Sequence, residues 1–248
     1  MSSALLEIGR PREAERGLRQ IILRSLDPRA GWQARFNLAV VLRRQGRLER
    51  ARRFAGGALE TARQLRAPRL VARSINLLGN LELIDSRFDK ALIHYREALD
   101  LYCRSRGDYR RAISVLRDNL GYCLILKKEY RKGLKQIREA LALAREIGEP
   151  HVEAECLQDE CFGLLRQNFL SCAEVCGKRA LRLAELHGYR DLRVNCYYLL
   201  GEIRHLRDDG AGRDAYFMKL QQLYPHLPFL RDFLCAFDVS GIISLKTF

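Results

Sequence analysis

The residue types that most often carry out chemistry in proteins are present in this chain, but their spacing is not that of a reaction centre. The five histidines are scattered, at positions 94, 151, 187, 205 and 226. None belongs to an HExxH pair, and neither a GxSxG sequence nor a phosphate-binding glycine loop occurs. We therefore expect no catalytic residues and no cofactor.

The eight cysteines are a second candidate for chemistry. Cys172 and Cys176 are four residues apart and share a helix face, so they could supply two ligands to a metal ion. A structural zinc site needs four ligands, and no second pair with suitable spacing is nearby. Most of the cysteines stand among apolar residues in helical patterns, where a free thiol behaves as a small hydrophobic side chain. We interpret them as buried thiols and expect no metal.

A dense group of cations is the third candidate, and its chemistry would be anion binding. Residues 1–70 hold 16 Lys and Arg against 6 Asp and Glu, within a chain whose net charge is +14. Six arginines form a basic patch, and these are Arg43, Arg44, Arg47, Arg50, Arg52 and Arg53. The patch could dock an acidic protein or a phosphate backbone, or it could simply solvate a helix surface. Because Phe54 is its only interleaved aromatic residue, nucleic acid is the second choice of partner.

Helices must position all of these groups, since the apolar residues follow a helical period. Between residues 75 and 99, Leu78-Gly79 lies in one amphipathic segment, and Ala91, Tyr95 and Ala98 share a face of the next. Small side chains at these positions let two helix backbones approach closely. Such a pair cannot bury its apolar faces alone and needs neighbours of the same kind.

The same pattern recurs along the chain. The equivalent second-helix positions are Ala51, Ala91, Gly133, Ala173 and Arg213, which are 40, 42, 40 and 40 residues apart. Gly or Pro stands in each link between units, as expected at helix ends. No strand-like alternation occurs before residue 238. The sequence therefore predicts an all-α fold of stacked antiparallel helix pairs.

The two ends of the chain depart from the repeat. Residues 10–25 read as the second helix of a partial unit, and residues 229–237 as a short apolar helix that caps the stack. We accordingly predict a solenoid over 1–228, followed by a capping helix and apolar tail over 229–248. Open apolar edges at the two ends would allow self-association, so a homo-oligomer is a further prediction.

No run of 18 apolar residues occurs, and the N-terminus lacks the pattern of a secretory signal. We expect a cytoplasmic protein with no membrane partner.

Leu-Gly in one helix, followed by Ala-x3-aromatic-x2-Ala in the next, resembles the tetratricopeptide repeat over roughly residues 10 to 225. The period of 40 to 42 residues exceeds the common 34 and resembles the extended subclass of that family. The resemblance implies a right-handed α-solenoid whose first helices line a concave groove. It also implies binding of a protein or peptide, without catalysis in the repeats.

If the first helices line a groove, the residues opposite Leu78-Gly79 and its equivalents point into it. The groove set is Asn37, Arg44, Arg73, Asn76, Asn80, Asp118, Asn119, Tyr122, Gln158, Phe162 and Tyr198. An asparagine amide can donate to and accept from a peptide backbone at once. In the extended subclass such asparagines hold an extended chain, and the arginines would attract carboxylates.

One departure from the family restricts the partner. Members that grip a C-terminal carboxylate use lysines, arginine and asparagines, whereas Glu155 and Asp159 occupy the matching positions here and would repel it. We therefore predict a non-catalytic scaffold or adaptor, such as the sensor part of a bacterial signalling or transcription-regulating system. The alternative is binding of nucleic acid or an acidic partner through the basic N-terminal end.

Overall fold

Helices form all the regular structure in the computed structural model, which describes residues 11–236. Residues 1–10 of the predicted solenoid and residues 237–248 of the predicted apolar tail lie outside the described residues. The helices are α1 (Pro11–Arg24), α2 (Pro28–Arg44), α3 (Leu48–Gln64), α4 (Pro68–Ile84), α5 (Phe88–Arg104), α6 (Arg110–Leu126), α7 (Tyr130–Glu146), α8 (Pro150–Leu165), α9 (Leu170–Leu186), α10 (Arg190–His205), α11 (Gly210–Leu223) and α12 (Leu230–Ala236).

Each helix packs on its neighbours in the chain, as the predicted antiparallel pairs require. The structure forms two compact units, which divide between Cys123 and Leu124. In unit 1, consecutive helices from α1 to α5 pack together, and α2 also touches α4. In unit 2, consecutive helices from α7 to α12 pack together, and α8 also touches α10. The prediction of an all-α solenoid of helix pairs is confirmed.

A single turn geometry joins the first helix of each pair, here an even-numbered helix, to the second. One residue in each turn has a positive φ, and the next residue donates its N–H to the carbonyl five residues back, as in a Schellman motif. The positive-φ residues are Gly46, Ser86, Lys128, Asn168 and Asp208. Four of the five are not glycine, so they adopt a left-handed conformation that costs L-residues energy.

Close helix approach depends on complementary volumes. A Cβ added at Gly79 would lie 2.7 Å from the ring of Tyr95, and one added at Gly201 would lie 2.2 Å from the ring of Phe217. In another pair the order is reversed, because Cys161 stands on the first helix and Gly177 on the second. The predicted role of small residues in bringing the helices together is confirmed.

An ionic cluster joins α9 to α10 in unit 2. The carboxylate of Glu174 accepts from Lys178 Nζ at 2.6 Å and pairs with Arg204 and Arg207. Arg207 also donates to Ser171 Oγ at 3.0 Å. Burial would raise the pKa of Glu174, but the hydrogen bond from Lys178 and the three cations outweigh burial and lower it.

Helix α12 packs against α11 at the end of unit 2. Leu234 is buried there, whereas Phe229 and Phe233 are exposed. Gln221 of α11 accepts from the backbone N–H of Arg231 at 3.0 Å, which fixes the start of α12. The short apolar helix predicted near residue 229 is therefore present.

Candidate functional site

Three of the predicted groove asparagines form one hydrogen-bonded cluster in unit 1. Asn119 Nδ2 donates to Asn76 Oδ1 at 3.3 Å and to Asn80 Oδ1 at 3.4 Å, which joins α6 to α4. Asn80 Oδ1 also accepts from Tyr95 OH at 2.8 Å. Tyr95 is fully buried, so this hydrogen bond anchors the cluster to the interior.

The cluster fixes the orientation of the two asparagine amides on α4. Because their oxygens are engaged, the side-chain Nδ2 groups of Asn76 and Asn80 are turned away from these contacts. Among the described residues, neither Nδ2 group makes a hydrogen bond. Both side chains are half-buried, and each amide carries two N–H donors. The α4 surface therefore presents oriented donors that could bind carbonyl oxygens.

A stacked arginine lies one turn before the asparagines on the same helix. The guanidinium of Arg73 lies 5.0 Å from the ring centroid of Trp32 and 4.9 Å from that of Phe36. The two rings stack at 5.2 Å, and Trp32 Nε1 donates to Ser74 Oγ at 3.0 Å. Burial, with the neighbouring Arg69 cation, lowers the pKa of Arg73. The aromatic rings therefore hold a cation that stays charged at neutral pH.

The remaining predicted groove residues of unit 1 differ in accessibility. Asn37 is half-buried and accepts from Gln33 Nε2 at 2.8 Å, and Arg44 is exposed. Asp118 and Tyr122 lie in the interior, with 2% and 0% of their surfaces exposed. The accessible candidates are Asn37, Arg44, Arg73, Asn76 and Asn80, and we call this set the first-helix face of unit 1.

The predicted groove residues of unit 2 are all buried. Gln158, Phe162 and Tyr198 are 1%, 8% and 6% exposed. Gln158 Nε2 donates to Asp159 Oδ1 at 3.1 Å, so Asp159 is part of an interior polar contact. Glu155 remains half-buried, 3.4 Å from His151 Nδ1. Sequence reasoning placed these side chains on the right helices, but their spacing did not reveal their burial.

Half of the predicted basic patch is compensated by carboxylates of unit 1. Glu15 of α1 accepts from Arg47 at 3.0 Å and from Arg50 at 3.3 Å. Arg52 pairs with Glu82 at 3.0 Å and with two further carboxylates, Asp85 and Glu49.

The other three arginines of the patch differ in burial. Arg43 is half-buried, and burial lowers its pKa. Arg44 and Arg53 are exposed and make no ion pair with a described residue. Only these two are therefore uncompensated surface cations of the patch.

Burial raises the pKa values of thiols in unit 2, and these thiols stay protonated at neutral pH. Burial raises the pKa of Cys161 well above its usual range, with smaller contributions from Cys196 and Cys176. Burial, followed by the Glu160 carboxylate, raises the pKa of Cys176 to about 12. Cys172 and Cys103 are exposed. Within residues 11–236, no three His, Cys, Asp or Glu side chains are grouped so that they could hold a metal ion.

Over the same part of the chain, every helix is too short or too polar to cross a bilayer.

Comparison with known proteins agrees with this geometry. A tetratricopeptide repeat family model matches residues 33–104, which span α2 to α5. Residues 33–104 are therefore identified as tetratricopeptide repeats, and the same helix pair recurs along the described chain. None of the curated proteins matches the sequence.

Solved structures with the same fold are only distantly related in sequence. The apo form of RapI is 13% identical with a TM-score of 0.70, and the match covers 97% of this chain and 94% of RapI. BtubC from P. vanneervenii is 18% identical with a TM-score of 0.66, covering 89% and 90%. A Rap protein complexed with Competence and Sporulation Factor is 13% identical with a TM-score of 0.67, covering 92% and 74%.

Proposed function

We propose that this chain is a non-catalytic interaction scaffold that binds an extended peptide segment of a partner on the first-helix face of unit 1. The oriented amides of Asn76 and Asn80 carry the proposal, because four N–H donors on one helix face suit the carbonyls of a peptide backbone. Arg73 and Arg44 supply cations for carboxylates of the same peptide.

Two further observations support this assignment. The family is one of interaction modules, and a Rap protein of the same fold has been solved in complex with Competence and Sporulation Factor. The donors are already oriented, so binding would not have to order these side chains. A place in the cytoplasm and a role in signalling are part of the proposal, and the free cysteines suit a reducing compartment.

The test uses conservative variants that remove the side-chain N–H donors of the two asparagines and keep their oxygen acceptors. Peptides are selected from a displayed random library on the full chain, and their affinities are measured by calorimetry. Asn76→Asp with Asn80→Asp preserves the oxygens that accept from Tyr95 and Asn119 but replaces the N–H donors with negative charge. We expect binding to weaken roughly tenfold or more, since each lost hydrogen bond contributes about 1 kcal/mol.

The control exchanges two exposed amides on second helices, Gln64→Ala with Gln222→Ala. It should leave the affinity unchanged, and circular dichroism should show that both variants are folded. The fluorescence of Trp32, the only tryptophan, should respond to peptide because Arg73 lies over its ring. Equal affinity for the parent and the Asp variant, or no selected peptide at all, would contradict the proposal.

A further inference from the structure

A second surface of unit 1 carries exposed arginines that the basic patch does not include. They lie in the links that join each second helix to the next first helix, and in the helical turns that directly precede or follow those links. We call this set the arginine edge, and it consists of Arg24, Arg29, Arg63, Arg66, Arg69 and Arg106. All six are exposed, and none forms an ion pair with another described residue.

Contacts beneath the surface show that these links lie side by side. At the start of α2, Trp32 bonds to Ser74 near the start of α4 and lies under Arg73. At the end of α5, the ring of Tyr102 lies 5.0 Å from that of Tyr109 in the following link. Tyr102 OH donates to the backbone carbonyl of Arg69 at 3.5 Å, so the start of α4 is close to this ring. The α1–α2, α3–α4 and α5–α6 links therefore form one continuous edge of unit 1.

The carboxylates at this edge are already used locally. Asp100 pairs with Arg104 at 2.9 Å, and Asp108 pairs with Arg110 at 2.8 Å. Asp27 accepts from two backbone N–H groups at the start of α2, at 2.9 and 3.2 Å. These contacts leave the arginine edge with a local excess of positive charge.

Helix stability does not account for two of these arginines. Arg29 and Arg69 lie in the first turns of α2 and α4, where the helix dipole disfavours cations. Neither first turn contains an acidic residue, whereas the same second position of α10 in unit 2 is Asp191. The repeat thus accepts an acidic residue at this place, and the arginines of unit 1 need another explanation.

We infer that the arginine edge binds an acidic polypeptide segment, through ion pairs between its guanidinium groups and carboxylates. Guanidinium matches a carboxylate through two parallel hydrogen bonds. Side-by-side helices lie about 8–10 Å apart, which an extended chain covers in roughly three residues. In an extended peptide, acidic residues at about every third position would therefore reach the arginines of successive links.

Two observations favour a polypeptide over nucleic acid. Asp27 and Asp108 are exposed between the arginines and would repel a phosphate backbone, which is charged at every nucleotide, whereas a peptide can place uncharged residues there. The aromatic rings of this edge are also packed away, since Tyr102 is buried and the half-buried Tyr109 packs against it at a tilt of 44°. Stacking platforms for single-stranded bases are therefore missing from the described part of this edge.

The experiment measures binding of the full chain to a labelled peptide with Glu at every third position, using its Gln counterpart as the uncharged probe. The edge variant combines Arg29→Glu, Arg69→Glu and Arg106→Glu. We expect its affinity for the Glu peptide to fall roughly tenfold, because three exposed ion pairs become repulsive. Its melting temperature should be maintained, since acidic residues suit the first turns of α2 and α4.

The matched control reverses three exposed cations on the second helices of unit 2, with Arg131→Glu, Lys135→Glu and Arg182→Glu. Its net charge equals that of the edge variant, so it should retain most of the binding. Equal losses in both variants would overturn the inference, because they would reflect net charge alone. The polypeptide assignment would also fail if duplex DNA bound more tightly than the Glu peptide in an edge-dependent manner, or if sedimentation showed that the edge joins two copies of the chain.

The asparagine face and the arginine edge are tested separately. Asn76→Asp with Asn80→Asp should not change binding of the Glu peptide to the arginine edge by more than about twofold, because these asparagines are not members of that edge. A loss as large as that of the edge variant would contradict a separate site.

Discussion

Replacement of Gly79 by alanine tests the packing that positions the asparagine cluster. The new Cβ would lie 2.7 and 2.9 Å from two ring atoms of Tyr95 and 3.3 Å from Cβ of His94. Ordinary van der Waals contact begins several tenths of an ångström further out. Tyr95 is fully buried and bonded to Asn80, so its ring can move only by disturbing its neighbours. Overpacking of this kind typically costs about 1–3 kcal/mol.

The net effect follows from two opposing contributions. Alanine is favoured over glycine in a helix by about 1 kcal/mol, which reduces the expected loss of unfolding free energy to about 0–2 kcal/mol. Gly56 provides the matched control, because a Cβ there would meet nothing within 4 Å inside helix α3. Gly56→Ala should therefore stabilise the protein by about 0.5–1 kcal/mol.

Urea denaturation followed by circular dichroism measures both variants, and the fluorescence of Trp32 reports on unit 1 separately. The expected result is a change of opposite sign in the two variants. If Gly79→Ala stabilised the chain as much as Gly56→Ala, the close contact between α4 and α5 would be refuted. Peptide binding should also weaken in Gly79→Ala, since displacement of Tyr95 disturbs the amide of Asn80.

Two further predictions concern unit 2. The pKa of Glu174 is lower in the folded protein than in the unfolded chain, where it is about 4.3. At pH values above about 4.3 the ionic cluster should therefore contribute its full stabilisation, and this contribution should be lost as the pH falls through the pKa of the folded state. Glu174→Gln should lower the free energy of unfolding by about 1–3 kcal/mol at neutral pH and by less in acid. Urea denaturation at several pH values measures this difference, and a loss that did not depend on pH would contradict the prediction. Lys128 has a φ of 64°, which glycine adopts without strain, so Lys128→Gly should stabilise the protein by up to about 1 kcal/mol. Gly148 has a φ of 67°, which is unfavourable for alanine, so Gly148→Ala should destabilise the protein by about 1–2 kcal/mol. Thermal melting measures this pair, and changes of the same sign in both would show that backbone conformation does not decide their stability.

The sequence predicted the helices and their pairing because small residues recur at a fixed offset. Leu78-Gly79 and Tyr95 predicted a close contact, and the structure contains it. The solvent exposure of side chains on the first helices was harder to predict. Each first helix packs on its own second helix and also on neighbouring pairs, so several of its faces are covered. In α8 every residue from 156 to 164 is buried, so no exposed face remains in that stretch for a pattern to identify. Gln158 was therefore assigned to a surface although it lies inside.

The compensation of the basic patch was not visible in the sequence, for a related reason. The arginines of the basic patch are adjacent in sequence, but their carboxylate partners are distant, as with Glu15 for Arg47 and Glu82 for Arg52. Local composition cannot reveal such compensation. The arginines of the arginine edge lie in or beside three separate links and become neighbours only when the helices stack. A comparison of first-turn residues between repeats, such as Arg69 against Asp191, was the signal in the sequence that could have found them.

The complementary volumes at the helix contacts restrict how the chain can fold. In a protein built from similar helix pairs, a helix could dock in the place of its counterpart from another repeat. Gly79 accommodates Tyr95 and Gly201 accommodates Phe217, whereas the corresponding place beside Cys161 accepts only Gly177. An aromatic residue docked beside Cys161 would collide, and a glycine docked beside Gly79 would leave a void. The second helix that carries Gly177 therefore fits its own partner, and its exchange with the second helices that carry Tyr95 or Phe217 is disfavoured.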